Sequence, residues 1–223
     1  MTYSYFIAFT IALIVALYSV LLYFPPRRTG GLLILSTTLW LTYVGVLSYS
    51  GVVANYASRP PGIFFVVAPA GAFALFLAIS RSGGKLASYF PIWLLTGFQV
   101  FRIGVELLIH RLWVDGLVPK LMTYEAGNVD IFIGITAPVA AFLVTRPKWG
   151  KAAGIAWNII GILALANIVT RAFLTYLGPN NILHSEIPNI AIGMFPYTYI
   201  AGFFAPLALV LHVLTLRSLV QKA

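Results

Sequence analysis

The chain has 223 residues, 61% of them hydrophobic and 9% charged, and Lys plus Arg exceed Asp plus Glu by 14 to 5 for a net charge of +9. A water-soluble domain carries about 45–50% apolar and about 25% charged residues, so this composition excludes a soluble globule and points to an integral membrane protein. The basic residues stand singly or in small groups between apolar runs rather than on one polar face, so no nucleic-acid partner is expected. Cysteine is absent, which removes disulfides, thiolate metal sites, iron–sulfur clusters and S-palmitoylation.

A crossing needs about 20 mostly apolar residues. Seven such runs follow one another, at about 3–24, 31–53, 63–80, 91–113, 129–145, 152–174 and 197–219, the third and fifth being short. The predicted fold is an all-α bundle of seven transmembrane helices forming one domain over residues 1–223. Breaker segments separate the runs, among them Pro25-Pro26-Arg27-Arg28, Ser58-Arg59-Pro60-Pro61-Gly62, Arg81-Ser82-Gly83-Gly84-Lys85 and Arg146-Pro147-Lys148-Trp149-Gly150-Lys151. Period-2 alternation is missing, which argues against a β-barrel. The first run has no basic residue before it and no small-x-small cleavage pattern, so it reads as a helix rather than a leader.

Alternate connections carry Arg27 and Arg28, then Arg81 and Lys85, then Arg146, Lys148 and Lys151, with Arg217 and Lys222 at the tail. The opposite side has Arg59 and Lys120 in clear loop positions. The positive-inside rule then predicts the N-terminus outside and the C-terminus in the cytoplasm. Tyr3, Tyr5, Tyr23, Tyr56, Tyr89, Trp93, Trp113, Trp149, Tyr176 and Tyr197 fall near predicted helix ends, as interfacial aromatics do. Two outer connections, Val114–Asn128 and Thr175–Pro196, are long for helix–helix links, and such loops often carry function. Ala68-Pro69, Ala137-Pro138 and Ala205-Pro206 recur 69 and 68 residues apart. This is either a faint repeat or the ordinary abundance of Pro in membrane helices, and in both cases local kinks are expected.

Ionisable groups inside a bilayer are costly and need partners. Run four carries Gln99, Arg102, Glu106 and His110 on one helical face. Run six adds Asn167 and Arg171, one turn apart, and Asp130 opens run five. The expected pairs are Arg102–Glu106 and Arg171–Asp130, with Asn167 and Asn128 completing the hydrogen bonding. Glu125 and Asp130 would overhang the stripe, Asn128 capping the helix that Asp130 enters. Three readings are open. The cluster is a structural network; or it is an outward-facing pocket whose arginine takes an anionic or polar ligand; or Glu106 and His110, spaced i, i+4, begin a metal site completed by Glu125, Asp130 or His184. No His-Glu-x-x-His pattern is present, and neither a resident metal nor a cofactor is expected. His110 and His212 differ in predicted depth by about 20 Å, so they cannot clamp one haem, and His212 is expected to bond a neighbouring helix. The lysines all lie in loops or the tail, which removes retinal chemistry.

From Phe101 onward, the segments Phe101-Arg102-Ile103-Gly104-Val105-Glu106, Met122-Thr123-Tyr124-Glu125-Ala126-Gly127-Asn128-Val129-Asp130, Ala137-Pro138, Trp157-Asn158, Pro188-Asn189 and His212 stand out. With them the chain resembles a group of small, uncharacterised bacterial multi-pass membrane proteins without an assigned activity. The resemblance implies a bacterial inner membrane and no particular reaction. Gly104 and the Ala126-Gly127 pair depart from the group's usual pattern.

The sequence therefore predicts small-molecule binding or transport at a cluster of Arg102, Glu106, His110, Glu125, Asn128, Asp130, Asn167 and Arg171, with no catalytic residue assigned. The lipid bilayer is the expected surrounding, and a second copy or a membrane-complex partner is an open expectation. The alternative is a non-catalytic accessory subunit that uses the small residues Gly154, Gly161 and Ala164 for close helix contact. A metal-dependent intramembrane enzyme stands third.

Overall fold

The computed structural model describes residues 1–177 and 182–221. Helix α1 (Thr2–Tyr23) and helix α2 (Arg27–Tyr49) form a hairpin turned at Pro25-Pro26, where the ring at Pro26 cannot continue α1 but suits the residue ahead of α2. Gly30 lets the start of α2 approach α1, because a Cβ there would overlap the Leu21 carbonyl. Helix α3 (Phe64–Ile79) contains Pro69 and is followed, after an 81° bend, by the short α4 (Arg81–Ser88). Ser80 makes that corner: its backbone is extended, and its Oγ accepts from the Gly83 N–H at 3.0 Å.

The run from Ile92 to Val114, long and apolar enough for one crossing, comes in two pieces, α5 (Ile92–Gly97) and α6 (Phe101–Val114), joined by a tighter 3₁₀ turn at Phe98–Val100. Helices α7 (Asp130–Leu143) and α8 (Gly150–Leu174) follow. The last crossing opens with a π turn, Ile200–Phe204, and continues as α9 (Ala205–Gln221). Over their most apolar stretches, Ile92–Val114 and Ile200–Gln221 are each 56% buried, against 22% for α1 and 17% for α2. The α5–α6 and α9 crossings therefore form the middle of the bundle, and the α1–α2 hairpin lies at its edge.

By length and apolarity the structure accounts for five or six of the seven expected spans. Among the described residues five helical stretches are long and apolar enough to cross a membrane, and the bent α3–α4 pair makes six if counted as one. Helix α3, with 16 residues, reaches about 24 Å. Helix α7, with 14, reaches about 21 Å, and a hydrocarbon core is about 30 Å thick. The corner at Ser80 ends α3, and the Gly127 turn and Pro147 flank α7. The segment read as a loop at Arg81–Lys85 is α4, packed against α9, with Gly84 lying under Arg217 and Gln221.

Connections 50–63, 115–129 and 182–199 are tied together at one end of the bundle. The Ala191 N–H donates to the Leu117 carbonyl at 3.1 Å, and the Tyr176 hydroxyl donates to the Val53 carbonyl at 2.7 Å. The Tyr56 hydroxyl reaches the Ile190 carbonyl at 3.3 Å. Burial pushes the Tyr56 and Tyr176 hydroxyls above the ordinary phenol range, so both stay donors. Of the second long connection, residues 178–181, including Pro179, Asn180 and Asn181, lie outside the described residues.

Ser80→Ala removes the only side-chain cap at the α3–α4 corner. It should cost about 0.5–2 kcal/mol of stability, read as a lowered unfolding midpoint in detergent, and an unchanged midpoint would show the bend is held by packing alone.

Candidate functional site

The site begins with how closely α6 and α7 approach. A Cβ on Gly134 would stand 2.8 Å from Ile103 Cγ1 and 2.9 Å from Ile103 N, so only glycine fits there. Asp130 lies one turn before Gly134 on the same face, and Arg102 is the neighbour of Ile103. The crossing thus sets Asp130 directly against Arg102. Arg102 Nε donates to Asp130 Oδ2 at 2.7 Å, and Nη2 donates to Oδ1, giving a two-pronged ion pair. Both residues are buried, at 1% and 4% exposure.

The guanidinium also donates from Nη1 to His212 Nε2 on α9 at 2.9 Å. Arg can only donate, so Nε2 accepts and the imidazole proton sits on Nδ1. That nitrogen then donates to Asn158 Oδ1 on α8 at 2.8 Å, and Asn158 Nδ2 donates to the Gly154 carbonyl at 2.8 Å. Every bond in the chain from Arg102 to Gly154 points the same way. The imidazole has room because residue 161 is glycine, where a Cβ would overlap the ring. A second branch rises from Asp130. Its N–H donates to Asn128 Oδ1 at 3.0 Å, and Asn128 Nδ2 donates to Glu106 Oε2 at 2.5 Å and to the Met122 carbonyl at 3.0 Å.

Two expected pairings are therefore corrected. Arg102 pairs with Asp130 rather than Glu106, because Glu106 lies one turn further along α6, where Asn128 meets it. Arg171 pairs with no carboxylate among the described residues. Its Nε donates to Asn167 Oδ1 at 2.7 Å, and Nη1 donates to the carbonyls of Ala126 and Leu121 at 2.9 and 3.2 Å, so it clamps the loop that presents Asn128. His110 is separate again: its Nε2 donates to Glu125 Oε1 at 2.9 Å at the surface, and its ring stacks on Tyr124. Lys120 Nζ joins Glu125 at 3.4 Å. The metal-ligand pair offered by Glu106 and His110 is thereby split between two environments, and His184 is exposed. No group of three His, Asp or Glu suited to a metal occurs among the described residues. Gly154 packs against Val144 and Leu219 and Gly161 against the His212 ring, and Ala164 is buried, so these small residues are used inside this chain.

Beside the network lies a cavity of about 180 Å³ between α3, α6, α8 and the π turn of the last crossing. Its walls are mainly apolar, from Val67, Val105, Leu165, Ile168 and Phe204, and its polar lining includes Arg102, Glu106, Asp130, Tyr176 and Asn189. Asn189 is 1% exposed, and its Oδ1 has no hydrogen-bond partner among the described residues. An unsatisfied buried oxygen of this kind costs about 1–3 kcal/mol. Sequence reasoning left Asn158, Tyr176 and Asn189 out of the site and treated His212 separately. A depth comparison was the available signal for two of them, because Asn158 and His212 both lie well inside their spans and Arg102 lies near the middle of its own.

The family model described as "Domain of unknown function (DUF8737)" matches residues 62–220, a stretch that holds the whole network and omits α1 and α2. No curated protein and no solved structure matches the chain.

Arg102→Met strands Asp130 in the interior and should destabilise the protein by about 3–5 kcal/mol. The double variant Arg102→Met/Asp130→Leu should recover much of that loss, and chemical denaturation of the two in the same detergent checks it. The Glu125 carboxyl is held below the usual carboxylate range, first by the His110 hydrogen bond and then by Lys120. With its folded pKa lowered, its contribution is complete above the ordinary value of about 4.3 and disappears as pH falls through the folded one. The gap in melting temperature between the wild type and Glu125→Gln should therefore be wider at about pH 7 than at about pH 3.

Proposed function

We propose that this chain, which belongs to the DUF8737 family, is a multi-pass protein of a bacterial cytoplasmic membrane that binds a small, largely apolar molecule in the cavity beside Arg102 and Asp130. The observation that carries the reading is the cavity itself, about 180 Å³ of mostly apolar wall with Glu106 and Asn189 among its few polar linings. Ligand pockets have this make-up, apolar walls with a few placed polar groups that fix orientation. Arg102 and Arg171 spend their donors on Asp130, His212, Asn167 and loop carbonyls, so their role is to hold the cavity's wall and roof. Glu106 and Asn189 are then the groups that meet the ligand.

The distribution of charge supports the orientation. Arg27, Arg28, Arg81, Lys85, Arg146, Lys148, Lys151 and Arg217 lie at the end away from the long connections, and that end is the cytoplasmic one by the positive-inside rule. The cavity then lies in the outer half of the bilayer, under the cap made by connections 50–63, 115–129 and 182–199.

Protein purified in a mild detergent should carry a co-purifying small molecule, identified by mass spectrometry of an organic extract. Ala172→Phe, which fills the cavity from α8, should lower its recovery about tenfold or more, the effect of ~1.4 kcal/mol in binding. Equal extracts from the wild type and a folded Ala172→Phe variant would refute binding at this cavity.

A further inference from the structure

A second cavity, of about 400 Å³, lies between α1, α2, α3, α5 and α9. Its lining is almost wholly apolar, with Leu17, Leu33, Phe73, Leu95, Phe98 and Leu211 among the residues that build it. Two of its polar side chains are engaged elsewhere: Ser36 Oγ donates to the Leu32 carbonyl at 2.7 Å, and Trp40 Nε1 donates to the Gly202 carbonyl at 2.7 Å. This space touches the Glu106 cavity, since Ala70 of α3 and Pro206 of α9 line both. The π turn divides them, Ile200, Ala201 and Phe204 facing the first and Gly202 and Phe203 the second. Ala70 offers only a methyl side chain to the lining of both. π turns of this kind recur at functional positions in helices.

We propose that the two cavities hold one molecule, a long-chain alcohol, with its hydroxyl at Glu106 and Asn189 and its tail passing Ala70 and Pro206 into the second cavity. This rests on the reading of the first cavity as a binding site. The head must donate a hydrogen bond. Glu106 Oε2 is taken by Asn128, the described residues supply no donor to its other oxygen, and Asn189 Oδ1 is buried without a partner. Of the charged groups that line the cavity, Arg102 and Asp130 are paired with each other, and a hydroxyl donates to the remaining acceptors without bringing a further ion into the hydrocarbon interior. The tail is a hydrocarbon because the second cavity offers it little besides aliphatic and aromatic walls. One long amphiphile brings its single hydroxyl proton to one of these two oxygens and fills the apolar end, where a compact ligand would leave the larger space unused.

The test uses the full chain in lipid nanodiscs and two photoreactive 1-hexadecanol probes, one with a diazirine next to the hydroxyl and one with it at the far end of the tail. After irradiation and peptide mapping, the first should label α6 and α8, and the second should label α1, α2 and α5. Unlabelled 1-hexadecanol should suppress both by about tenfold or more, while 1-hexanol should suppress the near-head label. Ala70→Trp, or the milder Ala70→Leu if the first does not fold, should remove the far-end labels and leave the near-head site open to a six-carbon probe. Asn189→Leu should weaken the near-head label.

Far-end labelling that stays in α6 and α8, or labelling of α1 and α2 that excess alcohol and the Ala70 variants leave unchanged, would overturn the joined site. The second result would mean that bulk lipid occupies the groove, and in both cases a competed near-head label would leave the first-cavity reading standing. Loss of the near-head label as well would take down both.

Discussion

Hydrocarbon cannot solvate a guanidinium, and the middle of this bundle contains one at 1% exposure. The rest of the interior is arranged around that fact. Asp130 supplies the opposite charge from α7, His212 supplies a neutral acceptor from α9, and Asn158 on α8 turns the imidazole so that it can accept. One buried cation thereby registers four helices against one another. Each contact needs a close helix approach, and two glycines permit them. Gly134 brings α7 onto α6, and Gly161 leaves space for the imidazole between α8 and α9. Such a network adds less net stability than its bond count suggests, because the ions lose water to enter it. What it fixes is relative position, since any sliding of α7 or α9 would leave a charge or a polar nitrogen without a partner.

The second branch extends that order to the connections. Asn128 is held by Glu106 and by the Met122 carbonyl, and in turn receives the N–H that starts α7. Arg171 reaches across from α8 to the carbonyls of the same loop. Gly127 takes the left-handed backbone, at φ 90°, that lets the chain reverse into Asn128, and its approach to the Arg171 guanidinium leaves little space for a side chain. The polar wall of the cavity beside these residues is held by the Arg102–Asp130 ion pair and by the hydrogen bonds of the Asn128 amide. The opposite wall belongs to the π turn, where the Trp40 indole and the Tyr199 hydroxyl tie α2 to the last crossing through Gly202 and Leu41.

Hydropathy marks seven apolar runs, and five or six of them are long enough in the structure to cross a membrane, for a specific reason. An apolar run measures composition, and α3 and α7 are as apolar as the longer helices. What makes them short is the chain's direction at their ends, set by the Ser80 cap and the 81° corner in one case and by the Gly127 and Pro147 boundaries in the other. The polar stripe on the fourth run was legible because a helix places residues three and four apart on one face. Its partners were not, because two carboxylates lay within reach on paper and only the depth of the α6–α7 crossing selects between them.

The residues alone determined that this chain is helical, apolar enough for a bilayer, free of cysteine chemistry, and obliged to bury Arg102 with company. Those conclusions follow from composition and from the 3.6-residue period, which are local properties. Tertiary structure decided that the company is Asp130 and His212, that Arg171 holds a loop, that Asn158 joins the network and Asn189 the cavity wall, and that Ala70 and Pro206 line two cavities. Those facts depend on which helix faces cross and how closely, and a glycine's missing side chain or a π turn's extra residue moves those crossings by amounts no linear pattern records.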